Sequence, residues 1–221
     1  RSQDELPQSA AGKTIMTTEP KFVPNQAVLV QVDEGLEVNV RLVDCVGYTV
    51  PGAKGYEDEN GPRMIHTPWY EEPIPFHEAA EIGTRKVIQE HSTIGVVITT
   101  DGTIGEIPRE DYIEAEDRVV NELKEVGKPF ILIINSTRPY HRETEELRQQ
   151  LEEKYDIPVL AMSIENMQEK DVLNVLREAL YEFPVLEVNV NLPSWFMVLK
   201  EDHWLRESYQ EAVKETVQDI K

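Results

Sequence analysis

Asp44 and Gly47 are the residues best placed to do chemistry. They close the run Val40-Arg41-Leu42-Val43-Asp44-Cys45-Val46-Gly47, in which apolar alternation ends in a carboxylate and then a glycine. A carboxylate at the C-terminal end of a strand can join the shell of a magnesium ion. A glycine there lets its backbone N–H approach a terminal phosphate. This is nucleotide-hydrolase chemistry, with Asp44 the candidate magnesium residue and Gly47 the candidate phosphate contact. Upstream, Ile15-Met16-Thr17-Thr18-Glu19-Pro20 precedes the strands. A threonine in such a loop can close over magnesium and the γ-phosphate. Thr17 and Thr18 are therefore candidate catalytic residues, and Thr17 a candidate metal ligand.

A third candidate lies in Phe130-Ile131-Leu132-Ile133-Ile134-Asn135-Ser136-Thr137-Arg138. GTPases carry N-K-x-D at such a strand end. Asn135 matches, but Arg138 stands where a carboxylate would accept hydrogen bonds from guanine, and arginine accepts none. Guanine selectivity is not expected, and ATP is the better nucleotide. Tyr48 occupies the place of the glutamine or histidine that commonly positions the attacking water, so hydrolysis should be slow or use another group. Gly12-Lys13-Thr14 imitates the end of a phosphate-binding loop, yet Pro7 replaces the first glycine and no strand precedes it. Residues 57–61 lack two ligands of a calcium loop. The five histidines have no zinc-ligand spacing. Cys45 reads as a small residue packed beneath its loop, and the acidic helix 143–153 as a solvated face.

Composition narrows the partners. The formal charge is −20, from 42 acidic and 22 basic residues. Such a surface repels nucleic acid and anionic lipid. A single cysteine excludes an internal disulfide framework and fits a reducing compartment. No apolar run approaches the roughly 20 residues of a membrane span. The expectation is a soluble, cytoplasmic protein. The chain opens on Arg1 and stops within a helical pattern, so it reads as a piece of a longer protein.

The elements that must position these residues follow from periodicity. Residues 1–26 are polar and broken by prolines, and read as a mobile lead-in. Ala27 to Asp33 and Leu36 to Asp44 read as a hairpin turning at Asp33-Glu34-Gly35. Residues 45–76 are rich in proline and glycine and read as a long irregular loop, with Trp69, Tyr70 and Phe76 either forming an assembly surface or pinning the loop to the core. Helices are expected at about 77–91, 112–126, 141–155 and 166–182. Between them lie the apolar runs Ile94–Thr100, Pro129–Asn135 and Ile157–Met162, which predict a parallel sheet covered on both faces. Leu147, Leu151 and Tyr155 form one core stripe, and Leu173, Leu176 and Leu180 another. Val185–Val190 could be a further strand, and Pro193 opens a final amphipathic helix. The domain expectation is a lead-in at 1–26 with a switch-like segment, a nucleotide-hydrolase domain at 27–192, and a C-terminal helix at 193–221 leading to a further domain.

A hairpin followed by three strand–helix units is the order of an α/β, P-loop GTPase-like three-layer sandwich whose first strand and P-loop are missing from this chain. That strand would lie beside the one carrying Asp44. Backbone groups left buried and unpaired along the gap would cost on the order of 1–3 kcal/mol each.

The strings DELPQSAAGKTIMTTEPKFVPNQA, VRLVDCVGYTVPGAKGYEDENGPRMI, TPWYEEPIPFHEAAEIGTRKVIQEHSTIGVVITTDGTIG and EFPVLEVNVNLPSW resemble the stage IV sporulation protein A family of endospore-forming bacteria. The resemblance covers essentially the whole chain. It implies a GTPase-class protein that binds and hydrolyses ATP with Mg²⁺ and self-assembles into the basement layer of the spore coat, at the forespore surface. It also implies a short amphipathic membrane peptide and other spore-coat proteins as partners. Thr17 and Thr18 match the family's sensor threonines, and Asp44 its magnesium-site aspartate. The alternative is a non-catalytic scaffold that keeps the fold and uses it for protein contacts.

Overall fold

The computed structural model describes residues 21–53, 57–58, 61–67, 70–183, 192, 194–200 and 203–218. Strands β1 (Lys21–Asp33) and β2 (Leu36–Asp44) form the antiparallel hairpin, closed by Gly35 at φ 79°. The hairpin is longer than the pattern suggested. Lys21 to Val23 pair with Asp44 to Leu42, and the register slips between Val23 and Val28. Pro24 falls in that slip and has no N–H to donate, so it interrupts the ladder without ending it. Residues 21–26 are therefore strand and not lead-in, and Asp44 sits opposite Lys21.

The stretch after Asp44 also carries more order than expected. β3 (Glu57–Asp58) pairs with β4 (Gly61–Pro62), and β5 (Met64–Thr67) with β6 (Tyr70–Pro75). These short ladders satisfy their own backbone groups, so the loop needs little apolar sequence to hold shape. Phe76 has no exposed surface, its N–H donates to Arg63 O at 2.7 Å, and the Arg63 guanidinium lies 4.8 Å from its ring. Phe76 pins the loop to the core while Tyr70 stays exposed. Trp69 lies outside the described residues.

The core is built on a parallel sheet in the order β7 (Gly95–Thr100), β8 (Phe130–Asn135), β9 (Val159–Met162). β8 is apolar at every position but its last, because it is covered on both faces and both edges. Phe130, Leu132 and Ile134 pack with Val120 and Leu123 of α2 (Ile113–Val126) and with Leu151 and Tyr155 of α3 (Arg142–Tyr155). Leu147 joins this cluster, so the first predicted stripe is a core stripe. Ile131 and Ile133 are buried on the opposite face. Helix α4 (Glu169–Tyr181) contacts β8 and β1, and starts from a reciprocal cap between Gln168 and Asp171. Its Leu173, Leu176 and Leu180 are half-buried, and Ala179 is the fully covered residue. Helix α1 (Phe76–Lys86) continues into a wider π turn at Val87–His91. Lys128 Nζ caps that end, donating to Ile88 O at 2.6 Å, Gln89 O at 2.9 Å and Ser92 O at 2.6 Å.

Among the described residues, nothing pairs with the second edge of β7, and β2 makes no ladder with it. Gly95 at the start of β7 has a packing reason: a Cβ there would come within 2.9 Å of Phe130 Cβ.

The chain divides into two compact units between Glu182 and Phe183. In the second unit the final helix is two helices, α5 (Ser194–Met197) and α6 (Trp204–Gln218). The break comes at His203, whose Nδ1 accepts the Leu205 N–H at 3.2 Å and starts α6 afresh. Phe196 is buried edge-on to Tyr209, with centroids 5.1 Å apart. Val185–Val190 lies outside the described residues.

Candidate functional site

The gap between β2 and β7 is a slot of about 430 Å³. Residues 43–48 form one wall, β7 another, and Thr84, Val87 and Ile88 of the α1 region and residues of α2 the rest. It is largely apolar, as a space between two sheet pieces should be. Its polar lining includes Asp44, Thr84, Thr99 and Glu116.

Asp44 stands at the C-terminal end of β2 because the hairpin ladder ends on it. Burial pushes its carboxyl above the ordinary value, and the Cys45 backbone N–H only partly offsets this. Gly47 follows at φ 84°, a conformation that suits glycine. Its N–H donates to Thr84 Oγ1 at 3.1 Å, and Thr84 in turn donates to Ala80 O at 2.8 Å. Burial also pushes the Cys45 thiol up, against hydrogen bonds from Thr84 and Gly47.

Tyr48 turns away from any reacting group. Its ring is buried beneath the Arg118 guanidinium, 4.1 Å from the centroid, and its hydroxyl donates to Glu122. Burial raises the phenol's pKa, and Glu122 raises it further. Arg118 also holds Glu81 at 2.8 Å. The residue at the water-positioning place is thus a structural pin between the Asp44 turn and α1 and α2.

The lining of the slot includes a buried charge. Glu116 is 2% exposed, and Arg109 Nη2 is 2.8 Å from both of its oxygens, with the hydrogen bond on Oε1. Arg109 Nη1 donates to Thr99 Oγ1 at 3.1 Å. The Tyr155 hydroxyl lies 2.9 Å from Glu116 and 2.5 Å from Asp117.

Asn135 does not line the slot. It ends β8, beside Thr100 of β7 and Met162 of β9, and its Oδ1 accepts the Ile164 N–H at 3.0 Å. Asp44 and Gly47 are therefore brought together, while Asn135 lies on a separate rim with the loop to Arg138. Thr17 and Thr18 lie outside the described residues. Among those described, no group of three or more His, Cys, Asp or Glu side chains forms a metal cage.

Several residues here have no sequence signal. Thr84 lies in mid-helix, Arg118 and Glu122 read as solvent-facing, and Glu116 looks like any acidic helix residue. Asp101 does carry a signal: like Asp44, it stands at the end of an apolar strand and precedes a glycine.

A parallel sheet covered by helices, with an aspartate and a left-handed glycine at a strand end, defines an α/β domain of the P-loop nucleotide-hydrolase type. Residues 1–184 match the profile of "Stage IV sporulation protein A, ATPase domain", and residues 185–221 that of the same protein's middle domain. The chain is 86% identical over 221 residues to stage IV sporulation protein A of Bacillus subtilis (strain 168) and 85% identical to that of Bacillus anthracis. It is 47% identical over 220 residues to that of Clostridioides difficile (strain 630). Each match covers 100% of this chain and 45% of the relative, so the chain spans about half the length of the curated relatives it matches. No solved structure matches. The chain belongs to the stage IV sporulation protein A family, and most of it is that family's ATPase domain.

Proposed function

We propose that the whole protein binds and hydrolyses ATP with Mg²⁺ and uses the turnover to self-assemble into the basement layer of the spore coat. The observation that carries this is Asp44, a carboxylate at the end of a strand in a chain that matches the family's ATPase domain across residues 1–184.

Its surroundings suit a magnesium ion. Magnesium usually takes one or two carboxylates together with phosphate oxygens and waters, so a single carboxylate without a protein cage fits it. The Asp44 carboxyl, whose charged form burial disfavours, is a group a cation would relieve. Asp44, with Thr17, would hold the ion, which neutralises charge on the phosphates. Gly47 would offer its N–H to a phosphate oxygen once Thr84 releases it. Asn135 would face the base, and Arg138 removes the feature that selects guanine. Tyr48 is buried, so water activation falls to Thr17 or Thr18, and turnover is slow. By resemblance, the partners are further copies of the protein, a short amphipathic membrane peptide and other spore-coat proteins. The place is the cytoplasmic surface of the forespore. No described helix is long and apolar enough to cross a membrane.

The scaffold alternative draws on the same pin: the Gly47 N–H and the Tyr48 hydroxyl are both already engaged inside the protein. Two variants of the intact protein separate the readings. Asp44→Ala should abolish hydrolysis and ATP-dependent sedimentation together. Thr17→Ala with Thr18→Ala should keep ATP binding while losing both. Sedimenting polymer formed equally well with or without ATP in every variant would leave only the scaffold.

A further inference from the structure

The C-terminal ends of β7 and β8 and the first turn of α3 are tied together by one carboxylate. Asp101 Oδ2 accepts hydrogen bonds from Ser136 Oγ at 2.6 Å and Thr144 Oγ1 at 2.9 Å. Oδ1 accepts from Thr103 Oγ1 at 2.6 Å and from the Thr103 N–H at 3.0 Å. Ser136 has no exposed surface and Thr144 is 3% exposed, so these hydroxyls have little water to turn to.

The direction of each bond matters. Ser136 and Thr103 give their protons to Asp101, which frees their lone pairs for the loop. The Arg138 N–H donates to Ser136 Oγ at 2.9 Å, and the Thr137 N–H to Thr103 Oγ1 at 3.0 Å. The Ser136 N–H donates to Met162 O, and Asn135 takes the Ile164 N–H. Every backbone N–H from 136 to 138 is thereby assigned, two of them through a hydroxyl that the carboxylate orients. Ligands of open α/β sheets bind outside the carboxyl ends of the strands, and this is where the Asn135–Arg138 loop stands.

We infer that Asp101 is a positioning residue for nucleobase recognition: it fixes the loop from Asn135 to Arg138 in the one shape that lets the rim accept adenine. The inference rests on the nucleotide-binding reading above and extends it to a residue that need not touch the ligand. An amide cannot replace the carboxylate. Its NH₂ could not face the Thr103 N–H, so it would turn toward Ser136 and Thr144. Ser136 Oγ would then receive two donors and lose the acceptor for its own proton. Burial pushes the Asp101 carboxyl up, and the hydrogen bonds from Ser136, Thr103 and Thr144 outweigh it, holding the group ionised below the usual carboxylate range.

The test uses the intact protein and three probes: ATP, GTP and inorganic tripolyphosphate, which has the phosphates and no base. Asp101→Asn should weaken ATP binding by about tenfold or more, the scale on which small misplacements of a binding group act. Tripolyphosphate binding should stay within about twofold of the parent, since RT ln 2 is only about 0.4 kcal/mol. Thr103→Val, which removes only the arm that holds Thr137, should shift the same ratio in the same direction by less, and it guards against an Asp101→Asn protein that fails to fold. ATP and tripolyphosphate affinities falling in parallel would mean a merely structural role and overturn the inference. So would ATP binding unchanged in both variants. A parent that binds tripolyphosphate but shows no added affinity for ATP or GTP refutes base recognition at this rim. A parent that binds none of the three sinks the nucleotide reading itself.

Discussion

Replacing Arg109 with methionine should be among the most damaging single changes in the ATPase domain, although Arg109 lies on a short turn before α2. The methionine keeps much of the length and removes the charge. It leaves the Glu116 carboxylate 2% exposed, with only the Tyr155 hydroxyl at hand. That hydroxyl has one proton and is closer to Asp117, at 2.5 Å against 2.9 Å. Removing one partner of a buried ion pair costs about 3–5 kcal/mol. Allowing for a share of the Tyr155 proton, about 3 kcal/mol is expected, or about 6–12 °C in the melting of a domain this size. The companion is Arg109→Met with Glu116→Leu, which leaves no buried charge and should recover most of the loss. Urea denaturation of the whole protein, followed at the domain's own transition, measures both. A single-variant loss below about 1 kcal/mol, or a double variant no more stable than the single, would refute the reasoning, since either result means water or another cation reaches Glu116.

Two further outcomes follow from groups already described. Asp44→Asn should stabilise the ligand-free protein at pH 7, because the folded carboxyl is raised: the penalty grows as the pH rises from the unfolded value to the folded one and is complete above the folded value. The gain should vanish below about pH 4, where the carboxyl is protonated folded or unfolded, and melting at the two pH values checks this. Lys128→Met strips three backbone carbonyls of their ammonium donor, and about 1–2 kcal/mol of stability should go with it; hydrogen exchange should quicken first at residues 87–92.

The parts of this molecule that could be read from its residues are those where one physical term dominates. β8 announces itself because burial on both faces leaves room only for apolar side chains, and Leu147, Leu151 and Tyr155 repeat at helical spacing for a similar reason. The strand end at Asp44 was legible because the apolar alternation of the hairpin stops there. The pairing of 57–58 with 61–62, and of 64–67 with 70–75, was not, since such short ladders rest on backbone groups that every sequence possesses. Pro24 misled by looking like a boundary when it marks a bulge. The Thr84, Glu122 and Asp101 contacts stayed hidden because each joins segments tens of residues apart. In the linear order, Thr84 is one polar residue in a helix, and nothing marks it as the holder of Gly47.

The open edge of β7 bears on how copies of this chain behave toward each other. Ile98 is 60% exposed beside a row of backbone groups that no strand among the described residues pairs, and such an edge is a template for any extended segment it meets. What holds two such edges apart at a distance is the charge of −20 that each copy carries. That repulsion reaches about 30 Å in 0.01 M salt and only about 8 Å at physiological strength. Ionic strength is thus a solubility control for this chain: dilute buffer keeps the edges dispersed, and added salt lets them find one another.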